Sequence, residues 1–338
     1  MQVWKNLEAT GGGRTLVITE PCIGLRAILV IDDTTLGPAA GGIRTHAYHS
    51  FEEALGDAQS LARAMTYKCA LAGLKAGGGK MVVLEPEPGH RAQVFRRIGE
   101  VIEELGGLFR TAGDVGTTVA DLEEVAKTTQ FVHSNSEEME DAVAAGVMRC
   151  MNACIDHHGG SGLAGLRVAV QGCGKVGGAV INKLACAGAE LWIADNDLSL
   201  VRGLADRYQC NLSTPGNILF EDVDILAPCA TGGVLNHHVV NDVRAWAVCG
   251  AANNALVDTE VASLLQLRRI QWVPDLLASA GSVIYGIGRS VMGLDDTDSL
   301  LEDLGLRVTD ILERSEKTGV STELVATAMA REILRQMD

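Results

Sequence analysis

The segment from residue 166 to residue 195 constrains the fold most, because it predicts a strand, a tight turn, a helix and a second strand. The apolar run Leu166–Gln171 predicts a buried strand, residues 175–187 a helix and Glu190–Ala194 the next strand. Between them lies Gly172-Cys-Gly174-Lys-Val-Gly177. In such a turn the first glycine permits the bend, the second lets backbone approach a pyrophosphate, and the third lets helix and strand pack closely.

A carboxylate follows this unit where a dinucleotide would need it. Asp195 ends the second strand, 18 residues after Gly177, and would accept the adenosine ribose hydroxyls. Lys175 and Val176 open the helix, whose free N–H groups attract phosphate. Residues 196–201 contain no Arg or Lys for a 2′-phosphate, so NAD is predicted over NADP. The alternative is a glycine-rich turn beside an ordinary strand-end Asp.

Strand–helix alternation organises the second half of the chain. A helix over 140–157 is followed by the unit above and by short strands near 222–227, 246–249 and 271–273, which predicts a doubly wound parallel sheet. The first half predicts two strands and three helices, at 15–18, 27–31, 51–66, 94–105 and 118–126. We therefore expect one domain over 1–135 and a dinucleotide-binding domain over 136–297. Two helices within 298–338, split at Gly319, would complete the first domain.

Length, charge and cysteine content exclude several classes of protein. The 338 residues suffice for two domains, and a net charge of −15 argues against nucleic acid or anionic membrane as a partner. No apolar run reaches 18 residues and the first residues lack a signal pattern, so we expect a cytoplasmic protein. Nine cysteines without a CxxC pair indicate reduced thiols. The spacing of Cys150, Cys154, His157 and His158 resembles a zinc site, but no second ligand cluster accompanies it, so no metal is predicted.

Lysines and glycines cluster between residues 68 and 80. Gly77–Gly79 precede an apolar strand, and three glycines there suggest backbone that touches a ligand. Lys68 and Lys80 lie in apolar and glycine-rich sequence, so one could hold a carboxylate while the other, with a lowered pKa, acts as a base. Lys75 is interpreted as a surface charge. Asp114, just before a helix start, could cap that helix or shuttle protons.

These residues resemble the leucine/phenylalanine/valine branch of the glutamate-type amino acid dehydrogenase superfamily. The resemblance runs in order along nearly the whole chain. It rests on Leu36–Arg44, Met65–Lys68, Ala72–Leu74, Gly77–Lys80, Asp114–Thr117, Gly172–Gly177, Asp224–Ala230, Gly250–Asn254 and Pro274–Asp275 with Ala280–Gly281.

The resemblance implies an N-terminal catalytic α/β domain, a C-terminal Rossmann domain that binds NAD, and a cleft between them. It implies reversible oxidative deamination of an L-amino acid to its 2-oxo acid and ammonia, in a homo-oligomer. Lys68 would bind the substrate carboxylate, Lys80 would activate water, and Asp114 would shuttle the proton. Further expected contacts are Gly41 and Gly78 at the reacting centre, and Ala230, Asn253 and Asn254 at the cofactor.

The predicted substrate pocket is apolar. Glutamate-specific relatives carry a lysine where this chain has Ala40, and Met65 and Val283 are the other expected wall residues. The small Ala40 hints at a larger, aromatic substrate. The family pattern has asparagine at Ser279, glycine at Ser282 and threonine at Val143, and 133–142 lacks its proline-rich loop.

Those departures motivate a second hypothesis, a weakened paralogue that binds NAD or an amino acid as a regulatory subunit. The retained Lys68, Lys80 and Asp114 favour an NAD-dependent dehydrogenase of a branched-chain or aromatic L-amino acid. A hydroxy-acid dehydrogenase would need a His with a carboxylate partner near the nicotinamide, and no motif suggests one.

Overall fold

Two β-sheets organise the molecule. A computed structural model describes residues 13–134 and 138–337. Five strands form the first sheet in the order β1-β2-β4-β3-β5, and six form the second in the order β11-β10-β9-β6-β7-β8. The strands are β1 (Arg14–Glu20), β2 (Leu25–Asp33), β3 (Ala39–His46), β4 (Gly77–Leu84), β5 (Phe109–Gly113), β6 (Arg167–Gln171), β7 (Glu190–Ala194), β8 (Asn211–Leu212), β9 (Ile225–Pro228), β10 (Ala247–Val248) and β11 (Gln271–Trp272).

Helices cover both sheets and connect them. In chain order they are α1 (Phe51–Leu71), α2 (Arg91–Glu104), α3 (Val119–Ala126), α4 (Met139–His157), α5 (Lys175–Cys186), α6 (Leu198–Tyr208), α7 (Val239–Asp242), α8 (Thr259–Leu267), α9 (Asp275–Ala278), α10 (Gly281–Ser290), α11 (Asp298–Thr318) and α12 (Thr322–Met337). Within the described residues no helix is long and apolar enough to cross a membrane.

The first sheet is mixed and buries both faces. β1, β2 and β4 are antiparallel neighbours, whereas β3 runs parallel to both β4 and β5. Because side chains alternate along a strand, Ala39 belongs to the core under α2, while Ala40 points to the other face. Helix α1 covers that other face with a separate apolar cluster built on Ala58 and Ala62.

The second sheet is parallel throughout, as the strand–helix alternation predicts. Its β6–α5–β7 unit has the predicted bounds to within one residue. The last two helices separate at Gly319, whose φ of 71° ends α11. Helix α12 reaches both halves of the molecule, since Arg331 donates to the Tyr67 hydroxyl on α1 and Trp272 on β11 donates to Glu323. The predicted boundary at residue 135 and the first 12 residues lie outside the described residues.

Two local predictions about the lysine–glycine segment are wrong. Helix α1 does not end near Thr66 but continues to Leu71, so Lys68 lies in its last turn. Gly77–Gly79 are not a loop before a strand but the first three residues of β4. Their lack of side chains serves packing: a Cβ on Gly77 would lie 1.9 Å from the Asp33 carbonyl oxygen, and one on Gly78 would lie 2.2 Å from the Thr66 nitrogen.

Candidate active site

A cleft between the two sheets gathers most of the predicted catalytic and substrate-binding residues. It has a cavity volume of about 240 Å³ and is bounded by β3, β5 and α1 on one side and by the 253–254 turn, α9 and α10 on the other. The predicted residues that line it are Ala40, Gly41, Met65, Lys68, Lys80, Asp114, Asn253, Asn254 and Val283. Gly78 and Ser279 are not among the lining residues, because a Cβ on Gly78 would point into α1 and Ser279 is buried behind Lys68.

Lys80 and Asp114 form an ion pair in this cleft. Lys80 Nζ lies 2.7 Å from Asp114 Oδ2, and Arg44 Nε donates to the same oxygen at 2.9 Å. Arg44 also pairs with Asp57 at 3.2 Å. The Lys80 side chain is only 8% exposed, so the pair is largely shielded from water. Residues from β3, β4 and the end of β5 therefore meet at one point.

Burial and neighbouring charges shift the pKa of both partners. Burial lowers the pKa of the Lys80 ammonium and the nearby Arg44 lowers it further, although Asp114 acts in the opposite direction. Burial alone would raise the pKa of Asp114, but Lys80 and Arg44 outweigh it and the net pKa is lowered. Asp114 is therefore a carboxylate at neutral pH, next to an amine that gives up its proton more easily than a solvated lysine.

Asp114 does not cap the following helix, which settles one alternative left open by the sequence. Thr118 caps α3: its hydroxyl accepts from the Asp121 N–H, while the Asp121 carboxylate accepts from the Thr118 N–H. Asp114 instead directs its carboxylate to Lys80 and Arg44.

Lys68 is held by a network that includes Ser279. Lys68 Nζ donates to the Ser279 hydroxyl at 2.8 Å. That hydroxyl lies 2.9 Å from Asn253 Oδ1 and 2.7 Å from the Asp275 carbonyl oxygen, so its one proton can go to either acceptor. Ser279, which departs from the family pattern, thus links the Lys68 ammonium to the turn that holds Asn253.

Lys68 also has a shifted pKa. Burial lowers the pKa of its ammonium to about 8, with Lys80 contributing and Asp275 opposing. Burial likewise raises the pKa of Asp275 to about 7. Lys68 is charged at neutral pH and loses its proton in mildly alkaline solution.

The glycine turn after β6 has the geometry of a dinucleotide cradle. Gly172 adopts a φ of 93° and a Cβ there would lie 2.8 Å from Ala230, while a Cβ on Gly177 would lie 1.9 Å from the Gly172 carbonyl oxygen. Gly174 differs, because a Cβ on it would meet no protein atom within 4 Å. The open space over Gly174, at the N-terminus of α5, fits a pyrophosphate. The Lys175 side chain is 86% exposed, and its Nζ lies 3.7 Å from a Glu140 carboxylate oxygen.

Asp195 braces this turn. Its carboxylate accepts from the Cys173 N–H at 2.7 Å and from the Asp197 N–H at 3.0 Å. These backbone bonds lower the pKa of Asp195, so its charge persists at neutral pH. The backbone N–H groups at the start of α5, the open space over Gly174 and the Asp195 carboxylate together suit NAD.

Several charged groups of the cleft went unassigned in the sequence. Arg44 is the last residue of the motif Leu36–Arg44, and this position was the only indication in the sequence that it belongs to the site. Asp275 likewise begins a quoted motif without a role. Arg110 and His133 also line the cleft, and no pattern pointed to them.

The cysteine–histidine group of α4 has other contacts. Cys150 and Cys154 are buried free thiols. His157 Nδ1 lies 3.1 Å from the Gln271 side-chain nitrogen, and its Nε2 lies 3.4 Å from Glu316. Val143 is also buried on α4, where a Cβ on Gly281 would lie 2.9 Å from its Cα.

Comparisons with known proteins agree with this architecture. The family model for the Glu/Leu/Phe/Val dehydrogenase dimerisation domain matches residues 19–131, and the model for glutamate/leucine/phenylalanine/valine dehydrogenase matches 192–287. Leucine dehydrogenase from Geobacillus stearothermophilus is 34% identical over 347 residues, covering 100% of this chain and 94% of that protein. Phenylalanine dehydrogenase from Caldalkalibacillus thermarum is 34% identical, covering 96% and 91%. The crystal structure of L-tryptophan dehydrogenase from Nostoc punctiforme has a TM-score of 0.88 at 30% identity and covers 99% of each chain.

Proposed function

The chain belongs to the glutamate/leucine/phenylalanine/valine dehydrogenase family, and we propose that it catalyses reversible NAD-dependent oxidative deamination of a hydrophobic L-amino acid. The products are the 2-oxo acid, ammonia and NADH. The observation that carries the proposal is the buried Lys80–Asp114 pair beside Lys68, in a cleft that also contains Asn253 and Asn254.

Lys68 binds the substrate carboxylate in this proposal. Its ammonium points into the cleft and has a neutral hydroxyl, Ser279, as hydrogen-bond partner. A substrate carboxylate supplies the opposite charge, and the half-buried setting strengthens that interaction relative to water.

Lys80 and Asp114 move protons. Bound NAD would supply the acceptor for the hydride of the substrate α-carbon, and the substrate amine would become a protonated imine. Lys80 in its neutral form takes a proton from water as the water oxygen attacks the imine carbon. The resulting carbinolamine needs a proton on its nitrogen, and Asp114, 2.7 Å from Lys80, relays to it the proton that Lys80 took from water. Lys80, neutral again, then removes the hydroxyl proton as the carbonyl forms, and the carbon–nitrogen bond breaks to release ammonia. Arg44 keeps Asp114 charged and positioned.

The glycine turn of the second sheet would hold the cofactor. Gly172, Gly174 and Gly177 admit the pyrophosphate to the N-terminus of α5, and Asp195 accepts the adenosine ribose hydroxyls. The Asp195 charge repels a 2′-phosphate, so NAD is preferred over NADP. Asn253 and Asn254 line the cleft beside the lysines, and they would contact the nicotinamide end of the cofactor.

Apolar walls favour a hydrophobic substrate. Leu61, Met65, Leu276 and Val283 line the cleft near Ala40. The printed names of the relatives, leucine, phenylalanine and tryptophan dehydrogenases, agree with this class. We further infer a cytoplasmic homo-oligomer, because one matched model is a dimerisation domain and all nine cysteines are free.

The test is ammonia-dependent oxidation of NADH with a panel of branched-chain and aromatic 2-oxo acids, followed by absorbance. We expect turnover of at least one acid, and its loss in Lys80→Met. Binding of NADH without turnover of any acid would defeat the proposal and favour the regulatory-subunit alternative. Mass spectrometry of the amino acid formed identifies the product.

A further inference from the structure

Arg110 and His133 lie in the same cleft as the reacting lysines but have no part in the proposed chemistry. Both residues line the cavity. Arg110 is on β5, and its Cα pairs with that of Ala40 on β3. Since directly paired residues of parallel strands point to the same face, Arg110 projects on the cleft side with Ala40. Ala40 is the position at which the family pattern separates substrates.

Arg110 lies at the end of the cleft away from Lys68. Its bond to the Ser290 carbonyl oxygen is at the C-terminal end of α10, whereas Ser279, the partner of Lys68, lies just before the N-terminal end of that helix. Asp114 follows Arg110 by four positions on the same strand path, a separation of about 13 Å at the rise of an extended chain. A substrate held by Lys68 and presented to Lys80 at one end therefore extends its side chain toward Arg110. The small Ala40 leaves room for that approach.

Two buried side-chain nitrogens at this far end lack hydrogen-bond partners. Arg110 Nε and His133 Nε2 are buried and have no hydrogen-bond partner. Arg110 makes one long bond, from Nη1 to the Ser290 carbonyl oxygen at 3.3 Å, and its guanidinium lies 5.2 Å from the Phe131 ring centre. Within the described residues no carboxylate forms an ion pair with Arg110.

A buried polar nitrogen without a hydrogen-bond partner costs free energy, and a wholly apolar substrate would leave both nitrogens without a partner. A substrate oxygen would satisfy them on binding, and the same groups would then reject an analogue without that oxygen. The His133 ring stands edge-on to Tyr285, with ring centres 6.3 Å apart, and the Phe131 ring lies under Arg110. Aromatic rings thus pack against both side chains and hold them in place at this end of the cleft.

We propose that the cleft selects an amino acid whose side chain is apolar along its length and carries an oxygen acceptor at its far end, as the phenol of tyrosine does. The inference rests on the proposed dehydrogenase function and names the substrate class of that site. Arg110 donates to the substrate oxygen and His133 provides the second polar contact.

Matched pairs of 2-oxo acids test the proposal, with kcat/KM measured in the presence of ammonia and NADH. The first pair is 4-hydroxyphenylpyruvate against phenylpyruvate, which differ by one oxygen. The second is 2-oxoadipate against 2-oxohexanoate, in which the acceptor is a carboxylate. We expect the oxygen-bearing member of the first pair to be preferred by about 10- to 100-fold, the worth of a hydrogen bond to a charged group. A preference in the second pair alone identifies the acceptor as anionic and retains the assignment of Arg110.

Variants of Arg110 and His133 test whether these residues cause the preference for the oxygen-bearing acid. Arg110→Leu removes the guanidinium and is expected to bring the 4-hydroxyphenylpyruvate/phenylpyruvate ratio to within about threefold of unity, and His133→Phe to reduce it less. The ratio is internal to each protein, so partial loss of folded enzyme does not change it. Arg96→Leu is the matched control: Arg96 pairs with Glu124 on the far side of the first sheet, and the ratio is expected to keep its wild-type value.

Two results would overturn the proposal. One is a wild-type enzyme that turns over phenylpyruvate and 2-oxohexanoate at least as well as their oxygen-bearing partners. The other is a preference that survives Arg110→Leu. Both require turnover, so they leave the dehydrogenase function standing, whereas no turnover of any of the four acids, or of the branched-chain panel, contradicts the function itself.

Discussion

In the proposed reaction the lysine end of the cleft binds the substrate and the glycine turn of the second sheet binds the cofactor, and the two regions are built in opposite ways. At the lysine end, charged side chains from three strands and a helix meet in a place with little water, and their pKa values move as a result. At the glycine turn the working groups are backbone N–H donors, and side chains matter mainly by their absence.

The difference predicts two kinds of sensitivity. Truncation of a charged side chain in the first region removes a chemical step while the fold survives. Addition of one carbon atom in the second region either blocks the cofactor or strains the backbone, depending on where the carbon points. The first region is expected to respond to pH between 7 and 9 and the second is not.

Removal of the Lys80 amine has the largest expected effect. Lys80→Met is expected to lower kcat by about 10²- to 10⁴-fold, the usual contribution of a general base. Asp114 keeps Arg44 as an ion-pair partner, so the buried carboxylate is not left uncompensated. Steady-state kinetics measure the loss, and circular dichroism and NADH binding check the fold. Lys75→Met is the control, since Lys75 is exposed. Full activity in Lys80→Met would remove Lys80 from the mechanism.

Two alanine substitutions in the glycine turn separate cofactor binding from folding. Gly174→Ala places a methyl group where no protein atom lies within 4 Å, so we expect an unchanged melting temperature. The methyl group occupies the expected pyrophosphate position and should weaken NADH binding by about 10- to 100-fold. Gly177→Ala places the same methyl 1.9 Å from the Gly172 carbonyl oxygen, which should destabilise the fold by about 1–3 kcal/mol.

Fluorescence titration with NADH and thermal unfolding read out the two variants side by side. If Gly174→Ala lowers the melting temperature as much as Gly177→Ala does, Gly174 is a packing residue, and the proposed role of Gly174 in cofactor binding is contradicted. Wild-type affinity of Gly174→Ala for NADH would also contradict that role, because the added methyl group would then not meet the pyrophosphate.

The two regions also differ in how far the sequence could predict them. The glycine turn depends mostly on contacts within residues 166–195, although Gly172 also packs against Ala230, and the sequence therefore predicts the strand, turn, helix and terminal Asp195 in order. The lysine end brings together Arg44 and Asp114, which are 70 residues apart, and Lys68 and Ser279, which are 211 apart. Only resemblance to relatives pointed to that arrangement, and no local pattern contains it.

The missed features have physical reasons of the same kind. Helix α1 passes the expected end at Thr66 because residues 69–71 are buried against the core, and the chain leaves the helix only at Gly73, with a φ of 68°. Gly77–Gly79 look like a ligand loop in sequence, but the close approach they allow is to β2, β3 and α1. Arg110 and His133 are recognisable only by the absence of partners, which a sequence does not record.

The two regions are also expected to differ in how ligand binding depends on pH. Because the pKa of Lys68 is about 8, its ammonium is present below pH 8 and is lost as the pH rises through that value. The dissociation constant of a 2-oxo acid from the enzyme–NADH complex, measured without ammonia, is expected to rise about tenfold per pH unit above the midpoint. Ser279→Ala removes the hydroxyl that accepts from the ammonium and should move the midpoint to lower pH.

NADH binding supplies the internal control for that experiment. The pKa of Asp195 is lowered by its backbone bonds, so the carboxylate stays charged across the same range. The affinity for NADH is expected to stay constant between pH 7 and 9. A 2-oxo acid affinity that is equally constant would exclude Lys68 as the carboxylate-binding group.

The smallest expected effect belongs to Asp195, whose carboxylate accepts a backbone hydrogen bond from the glycine turn. Asp195→Asn removes the charge that repels a 2′-phosphate, and its amide can still accept one of the two backbone bonds, from Cys173 or Asp197. We expect the ratio of kcat/KM for NAD to that for NADP to fall by about tenfold, with NAD still favoured because residues 196–201 offer no cation to bind the phosphate. A ratio equal to that of the wild-type enzyme would mean that Asp195 only braces the turn, and that cofactor choice depends on a contact outside it.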